Sequence, residues 1–287
     1  MAVLFYVFTY YWRYAIIKKS SGILQLRKRK DIWDMASIAI ITGATGGLGQ
    51  EFVREVLKEK VDEIWTVARN TEKLDKLKKQ FGDKVRAVKC DLSKADDLAA
   101  LKELINAEKS DIRLLINNAG MGDMGESCEF SDEYISKTVD LNCKAVCLLC
   151  NYAIPFMSKG ARILNISSAS SFQPVPYINL YAASKAFVRS YTRALNVELK
   201  RKGIICTAVC PGWIDTEMLS KEYKGKPVKF PGIVSPNRVA VQALRDSAKG
   251  KDMSVCTLFV KYEHLLSKLL PQKVLMKIWM YGIRDYV

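Results

Sequence analysis

From Met35 onward the chain alternates between short apolar runs and longer amphipathic stretches. Ser37–Thr42 (Ser-Ile-Ala-Ile-Ile-Thr) is apolar through its middle and bounded by a glycine, which predicts a strand buried on both faces. Similar runs at 63–68, 84–90, 112–117, 161–167, 204–210 and 254–260 predict six more strands. Between them apolar residues recur at helical spacing, as from the glycines after Thr42 to about Lys60, and from 180 to 201. Strand and helix in steady alternation predict βαβ units, hence an α/β fold with a doubly wound parallel sheet. The roughly 250 residues after position 34 suit one such sheet and its core. The expected organisation is therefore an N-terminal extension (1–34), one domain (35–287) and a helical tail from about 261. Tyr262–Tyr281 is amphipathic and interrupted at Pro271. Such a tail caps a pocket, meets a second copy, rests on a membrane or simply packs on the core.

Chemistry enters at the strand ends, where ligands of doubly wound sheets sit. Thr42 leads directly into Gly43, Ala44, Thr45, Gly46, Gly47, Leu48 and Gly49, which open the first helix. Glycines let the backbone approach a pyrophosphate, and the free amides of a helix N-terminus stabilise its charge. The spacing is Thr-Gly-x-x-x-Gly-x-Gly, with Gly43, Gly47 and Gly49 at the glycine positions, and not Gly-x-Gly-x-x-Gly. Further along, Tyr181 and Lys185 (Tyr-Ala-Ala-Ser-Lys) stand thirteen and seventeen residues after Ser168. On a helix the i,i+4 pair shares one face. A phenol titrates near ~10, and a neighbouring ammonium lowers that value toward the working range. With Ser168 donating to a carbonyl oxygen, the trio suits reduction of a ketone or aldehyde better than hydrolysis. Each residue alone has a plainer reading, as an exposed helix face or a turn; their order along the chain carries the argument.

Together these residues resemble the short-chain dehydrogenase/reductase family over residues 36 to about 260. The likeness rests on Thr42–Gly49, Asp91, Asn117-Asn118-Ala119-Gly120, Asn142, Ser168, Tyr181, Lys185 and Pro211-Gly212 with Thr216. It implies a Rossmann-type domain in which Tyr181 is the general acid/base, Ser168 orients the carbonyl, and Lys185 lowers the phenol's pKa and holds the nicotinamide ribose. Asn142 would hold a water in the proton relay. Asn118, Ala119 and Gly120 would line the cofactor side of the fourth strand, with Asp91 beside the adenine. It also implies dimers or tetramers through the helices bearing Asn142 and Tyr181. The segment around Ile163–Lys185 and the tail resemble the branch of 17-beta hydroxysteroid dehydrogenases and 3-ketoacyl reductases.

The second strand ends in Ala68-Arg69, where a carboxylate would accept from ribose hydroxyls. An arginine fork clamps a 2′-phosphate instead, so NADP(H) is the expected cofactor, with NAD second, and reduction the expected direction. The expected site is thus Asn142, Ser168, Tyr181 and Lys185 for catalysis, with Gly43, Thr45, Gly47, Leu48, Gly49, Arg69, Asp91, Asn118, Ala119, Gly120, Pro211, Gly212 and Thr216 joining Tyr181 and Lys185 on the cofactor. Segments expected to wall the pocket, Met121–Met124, Ser170–Tyr177 and the stretch holding Trp213, Ile214, Met218, Leu219 and Tyr223, are mostly apolar. They fit a hydrophobic carbonyl or alcohol such as a steroid, fatty-acyl chain or aromatic ketone. The competing class is a non-catalytic NADP(H)-binding sensor or scaffold on the same fold.

Charge and cysteines adjust this picture little. Of the net +15, residues 1–34 carry +5 (seven Lys or Arg against two Asp), leaving +10 for the domain. That excess draws anionic lipid or acidic ligands. The basic residues are dispersed and accompany no binding motif, so nucleic acid is not expected. Eight cysteines fall mostly within apolar segments, and Cys143, Cys147 and Cys150 recur along one helical stripe as small core residues, which fits a reduced compartment. With His264 the single histidine, no metal site is predicted. Met1–Ile17 is aromatic and apolar apart from Arg13, and Lys18, Lys19 and Arg27–Lys30 follow. It reads equally as a short anchor that leaves the domain cytoplasmic and membrane-associated, or as sequence upstream of a start at Met35.

Overall fold

The computed structural model describes residues 35–284, apart from 218, 220, 221, 224, 225 and 229. The readings made of 1–34 and of Met218 lie outside the described residues, as does the side chain of Tyr223. In chain order the elements are β1 Ser37–Thr42, α1 Gly47–Val56, β2 Glu63–Ala68, α2 Thr71–Phe81, β3 Val85–Lys89, α3 Ala95–Glu108, β4 Asp111–Asn117, α4 Asp132–Val139 and α5 Ala145–Ala153. Then follow β5 Arg162–Ile166, α6 Asn179–Leu199, β6 Ile205–Val209, a small hairpin of β7 Glu222–Tyr223 and β8 Lys226–Pro227, α7 Pro236–Ala248, β9 Met253–Ser254, α8 Leu258–Leu269 and α9 Gln272–Ile283.

Seven strands form one parallel sheet in the order β3-β2-β1-β4-β5-β6-β9. The chain winds outward one way from β1 and then the other way from β4, so the switch point lies between these two strands. Consecutive residues of β1 serve opposite layers, which is why its apolar run is unbroken. Ile38 and Ile40 pack with Leu98, Leu101, Leu149 and Leu195 from α3, α5 and α6. Ala39 and Ile41 pack with Phe52, Val53, Val239 and Ala243 from α1 and α7. A third, smaller cluster joins Phe172, Ala208, Cys210 and Val260 beneath α8.

Two element boundaries and one side-chain pattern differ from the sequence-based expectations. The first helix stops at Val56 and not near Lys60, because the chain must turn to bury Val61 and enter β2. The predicted strand 254–260 is a strand only at Met253–Ser254. Thr257 Oγ1 accepts the Val260 N–H at 3.2 Å and caps α8, so the apolar run belongs partly to a helix start. The cysteine stripe also breaks up. Cys150 is buried, but Cys143 and Cys147 are half-buried, because residues Asp140–Lys144 form a π-helical turn that rotates Cys143 out of line.

One buried polar chain crosses the sheet. Asn117 Nδ2 of β4 donates to Asn165 Oδ1 of β5 at 2.8 Å, and Asn165 Nδ2 donates to Thr192 Oγ1 of α6 at 2.9 Å. It fixes β4, β5 and α6 in mutual register just below the strand ends. Removing one buried partner strands the others, at about 1–3 kcal/mol each. Asn165→Ala is therefore expected to lower the unfolding free energy by about 2–4 kcal/mol in urea denaturation. A loss under about 1 kcal/mol would show that the chain is dispensable.

Candidate active site

At the carboxyl ends of β1 and β4 the backbone is stitched by side chains. Thr42 Oγ1 accepts the N–H groups of both Asn118 and Ala119 at 3.0 Å. Asn118 Nδ2 donates to the carbonyls of Thr42 and Gly43, each at 3.1 Å. This proximity explains Gly43: its φ is +60°, and a Cβ there would lie 2.9 Å from Ala119 Cα. Gly49 meets the Gly43 carbonyl, again with no room for a side chain. Leu48 is buried, Thr45 gives its carbonyl to Gln50, and a Cβ on Gly47 would lie 3.0 Å from Thr216 Cγ2. Thus Thr216, far along the chain, closes over the glycine turn.

The turn fits a dinucleotide phosphate. No side chain caps α1 at Gly46, its first turn contains no acid, and Gly46 would tolerate a Cβ with nothing nearer than 3.6 Å. The amides of the helix start are left without a side-chain cap, the arrangement that stabilises an anion. Gly43 N–H bonds the Val67 carbonyl at 2.8 Å, which ties the turn to the end of β2. Arg69 follows, exposed. Burial raises the Asp91 carboxyl, but hydrogen bonds from the Ser93 hydroxyl and N–H, with the charge of Arg69 nearby, outweigh it and hold the group below its usual value. Arg69 and Asp91 therefore face one region beyond β2 and β3. Pro211 and Gly212 follow β6, where the Pro211 carbonyl accepts the Ala169 N–H at 2.8 Å and Gly212 packs on Val260.

The four expected catalytic residues come together beside this turn. Ser168 follows β5, and its side chain lies near enough to the Tyr181 phenol on α6 to pull its pKa down. Lys185, one turn further along α6, is buried and donates from Nζ to the Ile166 carbonyl at 2.9 Å; the Ser167 hydroxyl donates to the Lys185 carbonyl at 2.7 Å. Nζ lies 5.6 Å from the centroid of the Tyr181 ring. Asn142 sits in the π-helical turn, wholly buried. Its Oδ1 accepts the Met121 N–H at 2.9 Å, while Nδ2 donates to the Met121 carbonyl at 2.8 Å and to Ser184 Oγ at 3.0 Å. Both ends of this amide are taken by protein partners. The side chain clamps the segment after β4 onto α6.

The electrostatics differ from the expectation that Lys185 lowers the phenol's pKa. Burial raises Tyr181, and the group that pulls it down is Ser168. Desolvation drops Lys185 itself to about 8, because its ammonium is held on a single carbonyl away from water. At neutral pH it remains a cation within reach of the ring.

Several contributors were not singled out from sequence as site residues. Ser167 and Ser184 act through bonds to backbone or to Asn142, and polar residues in such positions carry no signal of their own. Gly122 is the most telling. A Cβ there would fall on the Tyr181 ring, while one on Gly120 would lie 3.1 Å from Lys185 Nζ and 3.3 Å from Asn142 Oδ1. Ser171 and Phe172, expected to wall a pocket, are instead buried, with the Phe172 ring 4.3 Å from that of His264. The Trp213 ring lies tilted against that of Phe230, their centres 5.0 Å apart.

The model of the family described as short chain dehydrogenase matches residues 37–227. Among curated proteins, a very-long-chain 3-oxoacyl-CoA reductase of Anas platyrhynchos is 34% identical over 204 residues, 66% of this chain and 64% of the relative. A 17-beta-hydroxysteroid dehydrogenase type 3 of Danio rerio is 36% identical over 191 residues, 63% of this chain and 61% of the relative. The match thus spans less than two thirds of these relatives' own length. A solved short-chain dehydrogenase from Sphingobium yanoikuyae in complex with NADPH superposes with a TM-score of 0.70 at 27% identity, covering 85% of this chain and 96% of that one.

Gly122→Ala is expected to displace the phenol and cut kcat by about tenfold or more, leaving cofactor affinity and the melting temperature close to wild type. Steady-state kinetics with a cofactor titration check this. An unchanged kcat would mean that the ring has slack.

Proposed function

As the chain belongs to the short-chain dehydrogenase family, we propose that it transfers a hydride between NADP(H) and the carbonyl or hydroxyl carbon of an apolar substrate. The carrying observation is the convergence of Ser168, Tyr181 and Lys185, set beside an uncapped, acid-free helix start at the glycine turn. A site that only bound the cofactor would have no use for a positioned proton donor.

When bound, the reduced nicotinamide supplies the hydride. The Ser168 hydroxyl donates to the substrate carbonyl oxygen and aligns it. Tyr181 delivers its proton to that oxygen as charge develops there, completing the alcohol. Lys185, a cation at neutral pH, keeps a positive charge 5.6 Å from the centre of the ring that carries the phenolate. In the oxidative direction Tyr181 accepts the proton instead. Asn142, through Met121, holds the Gly120–Gly122 backbone against Lys185 and the ring, so these groups stay in place without substrate. The 2′-phosphate is assigned to Arg69, which is exposed at the end of β2. The superposed short-chain dehydrogenase in complex with NADPH supports the cofactor assignment.

Substrates are assigned to steroid, fatty-acyl or aromatic ketones. Met121, Trp213, Ile214 and Leu219 offer few polar partners for a hydroxylated sugar. The named relatives, one an oxoacyl-CoA reductase and one a hydroxysteroid dehydrogenase, support an apolar carbonyl. A homodimer or homotetramer is assigned to the faces of α4 and α6, which expose Ile135, Val139, Phe187 and Val197.

Tyr181→Phe is expected to lower turnover of ketone panels by about a hundredfold or more while binding NADPH normally. If the variant keeps its rate, the proton-donor assignment fails. Arg69→Ala is expected to weaken NADPH by about ten- to a hundredfold and NADH hardly at all. Equal losses, read by fluorescence titration, would remove Arg69 from the phosphate.

A further inference from the structure

The two tail helices present an apolar outer face with cations along one border. On α8, Leu258, Tyr262, Leu265 and Leu269 repeat at i, i+4, i+7 and i+11 and are 81%, 59%, 51% and 68% exposed. At ~100° per residue they form one stripe opposite Val260, the residue α8 buries. Lys261 and Lys268 flank that stripe, while Glu263, the one acid in the two helices, lies half-buried on the far side. On α9, Val274, Ile278 and Tyr281 form the exposed stripe and Leu275 and Ile283 the buried one. Lys273, Lys277 and Arg284 align beside the exposed stripe, with the Arg284 guanidinium 4.3 Å from the centre of the Tyr281 ring.

The inner face of α9 is tied to the candidate active site. Trp279 Nε1 donates to the Pro176 carbonyl at 2.9 Å, in the loop that runs from Ser168 to Tyr181. The next carbonyl of that loop, on Tyr177, accepts the Gly125 N–H at 2.8 Å. The helix that roofs this loop therefore turns apolar side chains outward.

We propose that the outer faces of α8 and α9 dock onto an anionic lipid surface, laying the roof of the site against the layer from which an apolar substrate is drawn. Each helix has twelve residues, ~18 Å at 1.5 Å per residue, too short to span ~30 Å of hydrocarbon. Among the described residues no helix is long and apolar enough to cross a membrane. The pattern is that of a helix lying in the interface, with apolar side chains inserted and lysines reaching to headgroup phosphates. Charge selects lipid over a protein partner: among the described residues every charged side chain bordering the stripes is a cation, whereas a protein interface carries a rim of mixed polarity. The purpose of the docking rests on the apolar-carbonyl reading above; the docking itself does not.

The test is co-sedimentation of the full chain with phosphatidylcholine vesicles, with and without phosphatidylserine, in the absence of substrate. Wild type is expected to partition onto the phosphatidylserine vesicles and to come off as salt is raised. Leu265→Glu/Ile278→Glu and, separately, Lys273→Glu/Lys277→Glu are each expected to lose at least tenfold in partition. Both should keep wild-type turnover of a small soluble ketone with NADPH. The proposal is overturned if both variants bind like wild type, if phosphatidylcholine alone binds as well, or if wild type stays in the supernatant. It is also overturned if Leu265→Glu/Ile278→Glu changes the oligomer on size exclusion with vesicle binding untouched, since a second copy would then cover the face. A failed reductase reading would appear only in the turnover assay.

Discussion

Parallel strands end in amides and carbonyls that no neighbouring strand can satisfy, and between β1 and β4 this problem is acute because the chain departs in opposite directions from the two ends. Thr42 and Asn118 solve it together, one side chain accepting two amides and the other donating to two carbonyls. Their reach sets the distance between the glycine turn and the segment after β4. Everything that sits on that segment, from Ala119 to Gly125, inherits its position from this exchange of four hydrogen bonds.

A second constraint fixes the other half of the site. Asn142 anchors the same segment to α6, and the buried chain of Asn117, Asn165 and Thr192 fixes α6 to the sheet. Tyr181 and Lys185 are thereby held from below and from the side before any ligand arrives. The arrangement comes at the expense of hydration. Burial works against the charged form of both groups, raising the phenol and depressing the ammonium to about 8, so the lysine is a cation by a narrow margin at neutral pH.

Periodicity made most of the fold legible, because parallel strands buried on both faces are unbroken apolar runs and the helices between them are amphipathic. It misled at 254–260, where a short apolar run fits the end of a strand and the first turn of a helix equally, and only the Thr257 cap decides. Ser168, Tyr181 and Lys185 were legible because their chemistry demands those residue types at those intervals. Gly122 was not, since its role is the absence of a side chain against the Tyr181 ring, a contact between segments nearly sixty residues apart. The tail's amphipathicity was readable, but not which of its faces would be buried, nor that Trp279 would bond the loop at Pro176.

The π-helical turn at Asp140–Lys144 brings an unusual dependence. The Ala145 N–H reaches back five residues to the Asp140 carbonyl, so this turn holds one residue more than an α-helical turn. A single-residue deletion here would return the helix to its ordinary pitch and rotate one half against the other by ~100°. Asn142 would then be carried away from Met121 and Ser184 while still present in the sequence. At this point of the chain the count of residues is constrained as tightly as their identity, and an alignment gap would be as damaging as a substitution.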